Sequence, residues 1–66
     1  MKLEEIKFAV DQGDTVCWKN DGYEVEWWGD GYNIVCQSNR HGIGLTWTDG
    51  VTLNGKEEDF YIKEET

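Results

Sequence analysis

The sequence predicts one small all-β domain, a five-stranded antiparallel barrel. Apolar and polar residues alternate in short runs, as in half-buried strands. Gly-containing dipeptides punctuate those runs at turn spacing. No stretch of about eleven residues or more carries the i, i+3, i+4, i+7 pattern of an amphipathic helix.

The chain has 66 residues, which sets a ceiling of one domain, taken as 1–66 with Glu64-Glu65-Thr66 as a frayed tail. Four Trp, three Tyr and two Phe provide the apolar area that so short a chain needs; a fully buried Trp removes about 150–250 Å² from water. Ile6, Phe8 and Val10 alternate with Lys7 and Ala9, and Asp11-Gln12-Gly13-Asp14 turns the chain. Val16 and Trp18 then alternate with Cys17 and Lys19.

Asp21-Gly22 suits a two-residue hairpin turn, which needs positive φ at both central positions. That turn pairs Lys19 with Glu24, Trp18 with Val25, Cys17 with Glu26 and Val16 with Trp27. Asp30-Gly31 repeats the signal and pairs Trp28 with Asn33, Trp27 with Ile34 and Val25 with Cys36. Both turns put Val16, Trp18, Val25, Trp27, Ile34 and Cys36 on one face, and a slip of one residue in either would break that agreement. Cys17, Glu24, Glu26, Trp28 and Val35 fall on the other face.

Ser38 to Gly42 reads as a loop, and Ile43, Leu45 and Trp47 alternate after it. Asp49-Gly50 and Asn54-Gly55 mark turns too close together for two full hairpins. Phe60 and Ile62 alternate with Tyr61 and Lys63 in the last strand. Short strands that cannot hide both faces of a flat sheet are expected to curl, and closure removes exposed edges.

Gly13-Asp14-Thr15-Val16, Ile43 to Gly50, and Glu57-Glu58-Asp59-Phe60-Tyr61-Ile62 carry a resemblance to the SH3-like barrels, in the broad sense that includes Tudor and KOW modules. The last segment looks like the short turn leading into a closing strand. The resemblance spans Gly13 to Lys63 and rests on pattern, with an OB-like barrel as the alternative. Small phage proteins look similar. The Tudor likeness would offer Trp28, Tyr32 and Glu26 as a cage for methylated Lys or Arg. Fold of this kind implies no particular function.

Charge says more about partners. Fourteen acidic residues against six basic ones give −8; small domains need a magnitude of only about 2–8 for solubility. Such a field repels nucleic acid and anionic membrane and attracts basic proteins. No apolar run reaches the length of a membrane span, and Glu4 and Glu5 stand where a secretory leader would be basic and then apolar. The expected compartment is therefore the cytosol, where Cys17 and Cys36 are expected as free thiols.

Catalytic chemistry is not expected. Cys36 is assigned to the core, Cys17 to the far face, and His41 to a solvated loop, so no Cys–His pair is anticipated. Zinc-ligand spacing is absent. Glu24 and Glu26 share a face, which most often means a solvated surface.

The expected function is a non-enzymatic acidic module, in the style of a phage or mobile-element inhibitor. It would dock on a basic, nucleic-acid-handling host protein by mimicking nucleic acid. Glu24, Glu26, Asp30, Asp49, Glu57, Glu58 and Asp59 would stand in for phosphates, and Trp28 and Tyr61 would anchor the contact. The alternative is an accessory or structural subunit that oligomerises, or joins an assembly, through an exposed Trp patch. Neither reading involves a cofactor, a membrane or direct binding of nucleic acid.

Overall fold

A computed structural model describes residues 1–29 and 31–63. Asp30 and the expected tail, Glu64 to Thr66, lie outside the described residues. The chain forms helix α1 (Leu3–Asp11), then strands β1 (Val16–Trp18), β2 (Asn20–Trp27), β3 (Tyr32–Cys36) and β4 (Gly42–Gly44). A 3₁₀ turn at Glu57–Asp59 leads into strand β5 (Phe60–Ile62). All pairings are antiparallel, in the order β4-β3-β2-β1-β5. The mostly-β expectation holds, including the short turn before the last strand. No helix among the described residues is long and apolar enough to cross a membrane.

The helix corrects the reading of the N-terminal segment. Leu3, Ile6 and Val10 recur at spacings of three and four residues, and Ala9 lies beside Val10 on the inner face. Glu4 and Glu5 sit in the first turn, where the helix dipole favours negative charge. Glu5 Oε1 accepts a hydrogen bond from the Lys2 backbone N–H at 2.9 Å. At the other end Asp14 N–H donates to Ala9 O and Gly13 N–H to Val10 O. That pairing needs a left-handed residue, supplied by Gly13 at φ 99°. Ile6 and Ala9 are buried, whereas Phe8 is 68% exposed. A strand would have put Ile6 and Phe8 on one side.

The core lies between α1 and one face of the sheet. Ile6 and Ala9 meet Val16, Val25, Ile34, Leu45 and Phe60, with Trp18, Tyr23 and Tyr32 packed around them. Burying a side chain such as Ile6 contributes about 1.5–3 kcal/mol, a large share for a domain of this size. The helix covers this face, so the sheet has no need to close on itself. β4 and β5 are its two edges and do not pair with each other, so neither the SH3-like nor the OB-like barrel closes.

Both hairpins are shifted by two residues from expectation. Cys17 faces Glu24, and the chain reverses at Lys19, which adopts φ 67° between Trp18 and Asn20. Asn20 Oδ1 accepts the Gly22 N–H at 2.8 Å, so Asp21-Gly22 lies inside an irregular stretch of β2. In the second hairpin Val25 faces Ile34, Glu26 faces Asn33 and Trp27 faces Tyr32. Trp28 N–H donates to Gly31 O at 2.9 Å across a longer loop, which releases Trp28 from the ladder. A shift of two preserves the face of each side chain, because strand side chains alternate.

Burial corrects the expectation of one hidden face. Trp27 is 55% exposed at the end of its strand, edge-on to Tyr32 with centroids 4.9 Å apart. Cys17 and Val35, assigned to the outer face, are fully buried there. The centre of the sheet is therefore covered on both sides. Beyond β4, Leu45 is buried but Trp47 is 62% exposed. The chain turns back there through the isolated Thr46–Leu53 bridge.

Candidate functional site

One row of side chains crosses the outer face of all five strands: Tyr61, Cys17, Glu24, Val35 and Gly42. Glu26 and Trp28 share this face by alternation. Trp28 folds back over β4, where a Cβ on Gly42 would lie 2.6 Å from the edge of its ring. The ring is still 44% exposed, and Tyr61 is 37% exposed. Trp28 is both a cover for the face and a solvent-accessible aromatic.

Glu26 is the hub of the polar contacts. Arg40 donates to both of its oxygens, at 2.8 and 2.9 Å. Gln37 Nε2 donates to Oε2 at 3.1 Å and Trp28 Nε1 to Oε1 at 3.2 Å. The Arg40 hydrogen bonds chiefly hold the Glu26 carboxyl down at about 2. Tyr61 donates its hydroxyl to Asp21, which pushes the phenol up to about 12. Glu24 makes no hydrogen bond or ion pair among the described residues and is the uncommitted carboxylate of this face.

The nominated binding residues are carried by several different elements. Glu24, Glu26, Trp28 and Tyr61 share the outer face, but Glu26 is neutralised by Arg40. Asp49 caps the turn after β4: its Oδ1 accepts the Val51 and Thr52 N–H groups and its Oδ2 the Thr52 hydroxyl. Glu57, Glu58 and Asp59 form the 3₁₀ turn ahead of β5. Asp30 lies outside the described residues. Sequence reasoning missed Arg40 and Gln37, whose only signal was that Arg40 is the single Arg of the chain.

Electrostatically, the described chain points its charge outward. No charged residue among the described ones is buried. Arg40–Glu26 is the single ion pair among the described residues. Lys7 and Lys19 lie over the Tyr32 and Trp18 rings, at 5.6 and 4.5 Å from their centroids. No group of three or more His, Cys, Asp or Glu side chains among the described residues could hold a metal ion.

Two concavities lie on the inner side of the sheet. One, of about 250 Å³, is bounded by Lys7, Trp27, Tyr32, Leu45 and Thr46. The other, of about 230 Å³, is bounded by Trp18, Tyr23, Ile34, Cys36, His41 and Ile43. The second brings together two residues that the sequence reading kept apart. Cys36 N–H donates to His41 O at 2.9 Å, one step beyond the Val35–Gly42 pair, so both side chains leave the same face. Both cysteines are free thiols.

No protein-family model, curated protein or solved structure matches this chain.

Proposed function

We propose that this chain is a non-enzymatic binding module that docks on a basic protein surface, of the kind that handles nucleic acid, and competes there with nucleic acid. The observation that carries the reading is the uncompensated surface charge. Every described carboxylate is at the surface and only Glu26 is ion-paired, in a chain of net charge −8. A field of this size speeds encounter with a cationic partner. Trp28 and Tyr61 supply rigid aromatic area on the same sheet face as Glu24, the residue types favoured at interfaces. Glu57, Glu58, Asp59 and Asp49 contribute long-range attraction in this reading. The kinship with SH3-like barrels, in an opened form, belongs to the same proposal; the turn at Glu57–Asp59 before a last strand that pairs with β1 supports it.

The test is binding of the labelled chain to purified basic nucleic-acid enzymes across a salt series. Affinity is expected to fall steeply with salt and to drop further on Glu24→Lys with Asp49→Lys. Affinity that ignores salt overturns the reading. A second reading is favoured by Trp27, Trp47 and Val51, which are 55%, 62% and 72% exposed: assembly with copies of itself or a larger complex through an aromatic surface. Light scattering separates the two, since self-assembly would give a particle mass above 7.7 kDa that Trp47→Ser reduces.

A further inference from the structure

We infer that Cys36 is a nucleophilic modification site: its thiol, at the rim of an apolar pocket that His41 also lines, captures neutral α,β-unsaturated carbonyl compounds with a planar apolar body. Strand register positions the thiol. Tyr23 faces Cys36, and Ile34 faces Ile43, so Tyr23, Cys36 and His41 form one row across β2, β3 and β4 with the two isoleucines beside it. All five bound the pocket, and Trp18 stands edge-on to Tyr23 with centroids 5.6 Å apart as a further wall. Its volume of about 230 Å³ exceeds the roughly 150 Å³ of an apolar cavity known to admit benzene. A flat ring therefore has room against Trp18, Tyr23 and Ile43, with the thiol at its edge.

The two cysteines of the chain are set up in opposite ways. Cys36 is half-buried, and its Sγ lies 3.2 Å from Ser38 Oγ. The Ser38 hydroxyl, with the Ser38 and Asn39 backbone N–H groups, favours the thiolate and lowers its pKa. Cys17 is fully buried; burial first, then the Asp21 and Glu24 carboxylates, push its thiol up. The thiolate is the reacting form, so chemistry is directed to Cys36. The net charge of −8 selects among electrophiles, since it repels anionic oxidants and anionic disulfides and leaves neutral carbon electrophiles unaffected.

In the reaction the thiol proton passes to water. The sulfur lone pair forms a bond to the β-carbon, and the C=C π pair moves to give an enolate. The enolate α-carbon then takes up one proton, so the product is the thioether with no atom lost and no external oxidant.

N-phenylmaleimide and N-ethylmaleimide test this on the intact, folded chain, with intact mass and peptide mapping as readouts. The expected result is one adduct per chain, on Cys36, formed on the order of tenfold faster than on Cys17, with a half-maximal pH below that of N-acetylcysteine. The phenyl-over-ethyl rate ratio is expected to exceed that of N-acetylcysteine and to fall to it in Ile43→Ala, with the melting temperature reporting that this variant is folded. Equal labelling of both cysteines, a Cys36 rate at or below that of N-acetylcysteine, or a phenyl-over-ethyl ratio no larger than that of the free thiol overturns the inference.

Discussion

Adding one methyl group at Gly42 tests the construction of the outer face. A Cβ there would lie 2.6, 3.0 and 3.2 Å from three carbons of the Trp28 ring, so Gly42→Ala drives the indole off β4. Trp28 is 44% exposed, so somewhat more than half of its surface is covered. Taking about 100 Å² of that as lost, at about 25 cal/mol/Å², gives a ceiling of about 2.5 kcal/mol. The backbone effect has the opposite sign. Gly42 is not among the residues with positive φ, and replacing such a Gly by Ala stabilises by about 0.4–1 kcal/mol through the unfolded chain. The net expectation is a loss of about 1–2 kcal/mol, or roughly 4–16 °C in melting temperature for a domain of this size. Thermal denaturation and Trp fluorescence would be measured for Gly42→Ala, Trp28→Ala and the double variant. The fluorescence should shift to the red in Gly42→Ala, and in the Trp28→Ala background the same substitution should be neutral or stabilising. An equal loss in both backgrounds would refute the packing argument.

Glu26→Gln should flatten the acid limb of stability. The carboxyl titrates at about 2 in the folded chain against 4.5 ordinarily, so its contribution is complete above pH 4.5 and is lost as the pH falls toward 2. The full shift would be about 3 kcal/mol, but Arg40 is 57% exposed and solvent screening reduces this to about 1 kcal/mol; urea melts between pH 2 and 6 measure it. Ile6→Ala should cost about 2–5 kcal/mol and leave little folded protein at 25 °C. Phe8→Ser, at a residue 68% exposed, should stay within about 0.5 kcal/mol, and circular dichroism that ranked them the other way would reinstate a strand at Ile6–Val10. Absorbance near the phenolate band should show the Tyr61 phenol titrating near 12, a component that Tyr61→Phe should remove.

Strand alternation was legible because its period is two, and both register errors were also two. Val16, Val25 and Ile34 accordingly reached the core as expected. Turn position was less legible. Asp21-Gly22 has the composition of a tight turn, but the Asn20 side chain satisfies the Gly22 N–H, and the reversal moves to Lys19. Helix α1 was hidden because its nine residues are too few to separate the two periodicities: Ile6, Phe8 and Val10 alternate while Leu3, Ile6 and Val10 form a stripe. The barrel inference failed with it, since it had no helix to cover the inner face. At the candidate site, the common face of Glu24, Glu26, Trp28 and Tyr61 followed from parity. Its neutralisation did not, because Arg40 lies 14 residues from Glu26 and reaches it only through the loop after β3. The Cys36–His41 pairing was missed for the same reason: it depends on where that loop closes.

Competition between this chain and nucleic acid is decided by displacement of duplex DNA from a basic nucleic-acid enzyme, followed by anisotropy of the labelled duplex from low to high salt. Wild type is expected to displace the duplex at low salt, with displacement weakening as salt rises and lost in the Glu24→Lys, Asp49→Lys double variant. Binding of the chain and DNA to the same enzyme at once, with no mutual interference at low salt, would contradict it.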